Sequence, residues 1–124
     1  MNVVDSSGWL AYFANDTNAS QFAPIIQSTD TLIVPTICTY EVFKRILAQR
    51  GEEAALQAIG VMSLGISADL TQEMAINAAQ ISSTHKLAMA DSIILATARA
   101  HKATLWTQDA DFEGIADVRY IAKG

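Results

Sequence analysis

In the stretch LWTQDADFEGI, Asp109 and Asp111 stand one residue apart, directly after a short apolar run that reads as a buried strand. Loops are often acidic, so this pair decides little alone. Asp91 is harder to dismiss. It lies in MADSIILATARAHK, whose apolar residues recur at helical spacing, and the positions sharing its face are Ile94, Leu95 and Ala98. A carboxylate on such a stripe costs several kcal/mol unless it is paired, protonated or bound to a cation. The nearest bases, Arg99 and Lys102, are displaced toward the polar side of that helix. Two further acids, Asp5 at the end of NVVD and Glu41 in VPTICTYEVFK, complete the set.

Each acid also has an ordinary explanation. Asp91 would complement a helix dipole, Asp5 would hydrogen-bond the free amides of a helix start, and Glu41 would pair with Arg45 four residues on. Asp109 would cap a turn, with Asp111 solvated. These explanations leave open why all five fall near one predicted rim. A rim of carboxylates suits metal-assisted hydrolysis, because Mg²⁺ and Mn²⁺ take oxygen ligands and bind through few carboxylates plus phosphate oxygens. Zinc is not indicated: there is one cysteine, and His85 and His101 lack a ligand spacing. No Walker loop or GxGxxG is present, and DSSGW lacks the glycines of a nucleophile elbow.

The elements that must gather these acids alternate. NVVD, TLIVP, SLGIS, ATLWT and VRYIA read as short strands, the last at an edge. Helices are predicted over SSGWLAYFAN, with Ser6 or Ser7 as N-cap, and over ASQFAPIIQS, with Pro24 near its first turn. A third runs from a Thr36 cap to about Arg50 before Gly51, followed by EEAALQAIGVM, LTQEMAINAAQISS and the Asp91 helix. Strands alternating with helices predict an α/β layer fold with a mostly parallel sheet. Sites in such sheets form outside the carboxyl ends of the strands, at a topological switch point. Asp5, Glu41, Asp109 and Asp111 would all open on that edge.

With 124 residues, 51% of them hydrophobic, the chain can bury a core without disulfides. No apolar run approaches the roughly 20 residues of a membrane span. The start, MNVVDSSGWL, has no basic stretch, so neither a membrane nor a secretory signal is expected, and the lone Cys38 suits a reducing cytoplasm as a small buried hydrophobe. Eight basic and thirteen acidic residues give a net charge of −5, which weighs against a nucleic-acid partner. Without the five acids singled out above, the remainder is neutral, and a bound cation would change the local potential.

VVDSSGWL, VPTICTYEVFK and MADSIILATARAHKATLWTQDADFEGI resemble, in order and spacing, the motifs of PIN-domain ribonucleases, in particular the small toxins of VapBC-type toxin–antitoxin pairs. The resemblance covers essentially the whole chain and implies a single PIN domain over residues 1–124. The implied fold is three-layer α/β/α, with about five mostly parallel strands flanked by helices. It implies that Asp5, Glu41, Asp91 and Asp109 are the four catalytic, metal-binding acids, with Asp5 and Asp91 central and Asp111 a lesser fifth ligand. Ser6 and Thr107 match small polar positions that place water. The implied activity is Mg²⁺- or Mn²⁺-dependent endonucleolytic cleavage of single-stranded or loop RNA, such as a tRNA or rRNA loop. Lys44 and Arg45, with Arg50, are candidate phosphate contacts. Implied partners are a second copy of the chain, as a homodimer, and a VapB-like antitoxin lying over the active-site groove. Trp9, Tyr12, Phe13 and Phe22 would line that groove or pack inward. Two other readings compete: a phosphohydrolase with Asp5 as nucleophile, and a non-catalytic PIN-fold binding module. Against the first, Ser7 stands where such phosphatases want a second Asp.

Overall fold

The computed structural model describes all residues, Met1–Gly124. Five strands and six α-helices follow in chain order: β1 (Asn2–Val4), α1 (Ser6–Phe13), α2 (Ala19–Gln27), β2 (Leu32–Pro35), α3 (Thr36–Arg50), α4 (Glu52–Met62), β3 (Ile66–Ala68), α5 (Gln72–His85), α6 (Met89–Ala100), β4 (Thr104–Thr107) and β5 (Val118–Tyr120). Short 3-10 turns cover Thr29–Thr31 and Ala110–Phe112. The strand order is β3-β2-β1-β4-β5 and every pairing is parallel. From β1 the chain moves to one side through β2 and β3, then returns to place β4 against the other side of β1. The switch point therefore lies between β1 and β4, whose carboxyl ends carry Asp5 and Asp109.

Burial explains why these segments form strands. Val3, Val4, Ile33, Val34 and Leu105 are buried from both faces of the sheet, in a core shared with Trp9, Phe22, Val42, Met62, Ile94, Leu95 and Phe112. The helices cover the sheet as the packed pairs α1–α2, α3–α4 and α5–α6. No helix is long and apolar enough to cross a membrane.

Several sequence expectations need correction. Neither Ser6 nor Ser7 caps α1; Asp5 does, its Oδ1 accepting from the Gly8 amide at 2.9 Å. Three consecutive cap-forming residues left the choice open, and the backbone turns at the first. Thr36 is the first helical residue of α3, with Pro35 at the cap position and no side-chain cap bond. Pro24 lies at the sixth residue of α2, beyond its first turn; the carbonyl four residues back belongs to exposed Ser20, which water can satisfy. β3 is displaced toward Ala68, and α5 starts two residues later than predicted because Thr71 caps it by accepting from the Met74 amide. Trp9 and Phe22 are fully buried, which removes them as groove residues.

Gly8 sets how closely α1 approaches the sheet. A Cβ there would stand 2.6 Å from Val4 Cγ1 and 2.9 Å from Phe22 Cε1. Both neighbours are buried and cannot swing away. Gly8→Ala is expected to destabilise the protein by about 1–3 kcal/mol, read as a lower urea midpoint at unchanged m-value.

Candidate metal centre at the carboxyl edge of the sheet

Four of the sequence-predicted acids line one cleft of about 490 Å³: Asp5, Glu41, Asp91 and Asp109, together with Ser6, Ser7, Leu10, Tyr40, Lys44, Arg45 and Ala48. The fifth, Asp111, joins through the turn after β4. Ligand oxygens of Asp91, Asp109 and Asp111 all lie within 4.8 Å of one another. The acids thus come from four separate places: the end of β1, the second turn of α3, the start of α6 and the turn following β4.

Asp5 is 2% exposed and its carboxylate is held from three sides. Besides the Gly8 amide, the Ser7 hydroxyl donates to Oδ1 at 2.8 Å and the Thr107 hydroxyl donates to Oδ2 at 2.7 Å. Thr107 Oγ1 in turn accepts from the Asp109 amide at 2.9 Å. A continuous chain of hydrogen bonds therefore runs from the end of β1 to Asp109, two residues beyond β4. The Asp5 amide reinforces it by donating to the Trp106 carbonyl at 3.1 Å. Asp109 performs the same kind of service locally, its Oδ1 accepting from the Asp111 amide at 2.9 Å and capping the 3-10 turn. That cap brings Asp111 back toward Asp91, so the acid rated least in the sequence belongs to the tightest group.

Glu41 makes no ion pair with Arg45. The single ion pair of the protein is Arg99 with Asp117, at 3.6 Å on the far side of α6 from Asp91 in sequence. Glu41 Oε1 instead accepts from the Ser6 hydroxyl at 2.6 Å, which ties α3 to α1. Ser6 and Thr107, singled out as water-positioning residues, both have their hydroxyl protons committed to acids. On α6, Ile94, Leu95 and Ala98 are fully buried, so Asp91 does share its face with the core. Cys38 is buried beside this cluster, where burial pushes its thiol well up and out of the nucleophilic range.

The crowding shows in proton affinity. Burial raises the Asp91 carboxyl from 3.8 to about 7, with Asp109, Asp5, Glu41 and Asp111 all adding repulsion. Burial likewise raises Asp5 to about 6, against the lowering effect of hydrogen bonds from Thr107, Gly8 and Ser7. Asp91 is the one acid that feels all the others. No lysine or arginine lies within ion-pair distance of any of them. An all-oxygen set without protein counter-charge fits a hard divalent cation and lacks the nitrogen or sulfur donors of a zinc site.

A parallel α/β sheet with carboxylates converging at its switch point defines a class of protein that presents acids, rather than glycines or a nucleophile elbow, to its crevice. Within that class the chain belongs to the PIN-domain family, whose profile matches residues 3–118. No curated protein sequence matches it significantly. Among solved structures it is similar to a chain of a toxin–antitoxin complex from Klebsiella pneumoniae, with a TM-score of 0.84 and 22% identity over 100% of both chains. It is also similar to Mycobacterium tuberculosis VapC20, a sarcin–ricin-loop-cleaving toxin (TM-score 0.75, 17% identity, 96% of this chain and 99% of that one). DNA-bound VapBC from Salmonella typhimurium gives a TM-score of 0.74 at 17% identity over 98% of each chain. At these identities the likeness is one of fold.

The raised carboxyls make a stability prediction. In the folded protein Asp5 and Asp91 hold protons more tightly than in the unfolded chain, so between about pH 4 and pH 7 the folded state binds more protons. Stability in chelator is therefore expected to fall as pH rises through that window and to level off above it. Urea midpoints across the range check this, and Asp91→Asn should flatten the slope.

Proposed function

We propose that this PIN domain is a divalent-metal-dependent endoribonuclease, the toxin of a VapBC-type pair, which hydrolyses phosphodiester bonds in single-stranded or loop RNA of the tRNA or rRNA kind. One observation carries the reading: the acids converge in an open cleft with no lysine or arginine within ion-pair distance of any of them. Such an arrangement is costly for stability alone and useful when a cation and a phosphodiester enter together.

Asp91, Asp109 and Asp111 would hold the Mg²⁺ or Mn²⁺, with Glu41 and Asp5 adjoining. The ion, when bound, supplies acidification of water and charge neutralisation at phosphorus. The protein's own groups do the rest. Thr107 and Ser7 fix the Asp5 carboxylate, so its charge is presented without reorganisation. Ser6 fixes one oxygen of Glu41, a residue that lines the cleft. The Ser6 hydroxyl oxygen, which lines the cleft, retains lone pairs that can accept from an attacking water, whereas that of Thr107 is fully buried and already accepts from the Asp109 amide. Lys44 and Arg45, the cations lining the cleft, would meet the RNA backbone. Attack on phosphorus with departure of the 3′ oxygen yields 5′-phosphate and 3′-hydroxyl ends.

A VapB-like antitoxin and a homodimer are the proposed partners. Supporting the first, a smaller cavity of about 250 Å³ opens between α1, α3 and α4, lined by Phe13, Ile46, Ala54, Ala58 and Val61 with Arg50 at its edge. Phe13 is the predicted groove aromatic that remains in play there. The phosphohydrolase alternative loses ground, since a nucleophilic Asp5 would have both oxygens already engaged and almost no exposure.

Partner-free protein incubated with total RNA is expected to cleave with Mn²⁺ and to stop on chelation. Asp91→Asn should lose at least about 100-fold of the rate. Thr107→Val, which strips one donor from Asp5, should lose about 10- to 100-fold. Cleavage undiminished in Asp91→Asn would assign the activity to a contaminating nuclease and overturn the reading.

A further inference from the structure

Tyr40 immediately precedes Glu41 on α3, lines the acid cleft and is 59% exposed. It belongs to no part of the core. Its one aromatic-type contact is with Lys44 a turn later, whose Nζ lies 5.7 Å from the ring centroid. Single exposed hydrophobic side chains are ordinary on any surface, and Leu64 and Met89 are more exposed still. Tyr40 differs from them in lining the acid cleft, and it is the one aromatic there.

The charge of the cleft explains why an aromatic is needed. Four acids against two cations line it, on a chain of net charge −5, so attraction for a phosphate backbone is weak. A π face adds affinity without charge and accepts any base whose own face is free. The Lys44 ammonium lies over the ring, so it can meet the phosphate next to a base that stacks on the exposed part of that ring.

We infer that Tyr40 forms a nucleobase-stacking subsite of the cleft. It holds a base flanking the phosphodiester that the acids address, with Lys44 on the adjoining phosphate. The inference rests on the nuclease reading and deepens it, because bases stacked within a duplex present no free face to the ring. Tyr40 is a positioning residue: its substitution acts on substrate affinity and leaves the acids in place.

The test separates binding from cleavage. Fluorescein-labelled oligoadenylate and oligouridylate are titrated in chelator against wild type, Tyr40→Ala, Tyr40→Phe and Lys44→Ala. Tyr40→Ala is expected to lose about 5- to 150-fold in affinity, the fold-change of about 1–3 kcal/mol per stacked base. Tyr40→Phe should stay within about twofold of wild type. The Tyr40 loss should be equal at about 50 mM and about 200 mM salt, whereas Lys44→Ala should reduce the salt slope by about 0.7. In turnover with Mn²⁺, Tyr40→Ala should raise KM at a kcat near that of wild type.

Equal affinity of Tyr40→Ala and wild type, or equal losses in the Ala and Phe variants, overturns the subsite. If Tyr40→Ala leaves RNA affinity intact but changes the sedimentation of the protein alone, the ring belongs to a protein interface and the subsite is again overturned. Wild type that binds the oligomers through Tyr40 yet cleaves no RNA retains the subsite and overturns the nuclease reading. Wild type that binds neither oligomer overturns the subsite, while the nuclease reading stands or falls on cleavage with Mn²⁺.

Discussion

Five carboxylates in one cleft repel one another, and everything at the carboxyl edge of the sheet serves to hold them there. Two fully ionised groups within 4.8 Å cost on the order of 3 kcal/mol at an effective dielectric of about 20. The restraint is the Asp5–Thr107 hydrogen bond, buried and 2.7 Å long, which locks the ends of β1 and β4 together. Through the Thr107 hydroxyl it reaches the Asp109 amide, and through Asp109 it reaches Asp111. A single threonine side chain thus transmits the position of β1 to the whole turn that follows β4.

The same carboxylate that anchors this chain also starts α1. Capping a helix and lining the cleft need not conflict, because a carboxylate has four lone-pair directions and the Gly8 amide, the Ser7 hydroxyl and the Thr107 hydroxyl take three. The close approach of α1 allowed by Gly8 brings Ser6 to Glu41 and Ser7 to Asp5. Helix start, sheet edge and site are therefore one construction, and a change to any of the three is felt by the others.

Much of this was legible in the sequence. Alternating short apolar strands and helices gave a parallel α/β sheet, and the switch-point rule gave Asp5, Glu41 and Asp109 a common edge before any coordinates. Asp91 was recognisable because an acid among Ile94, Leu95 and Ala98 is costly unless paired, protonated or bound to a cation, and those three residues are indeed fully buried. Partners across elements were not legible. Glu41 was matched with Arg45 because helical spacing is visible in one dimension, whereas the Ser6 hydroxyl comes from another helix 35 residues away. The convergence of Asp111 with Asp91 and Asp109 was not legible, because it depends on a 3-10 turn set by the Asp109 cap. Tyr40 left no signal, since an exposed aromatic on a helix has no spacing of its own. Trp9 and Phe22 could not be sorted from Phe13 by type, and only the packing of α1 against α2 turns the first two inward.

The strand order has a bearing on biosynthesis. β1 and β4 are neighbours in the sheet yet their bridging side chains stand 102 residues apart in the chain. A nascent polypeptide leaving the ribosome presents Asp5 well before Thr107, Asp109 and Asp111, with 102 residues between the two partners of the buried bond. Until then the first strand has one flank unfilled, and Asp5 lacks the Thr107 hydroxyl and the two acids that follow β4. Products terminated before β4 would carry the opening motif without the assembled cleft, so the arrangement forms only once β4 has joined β1.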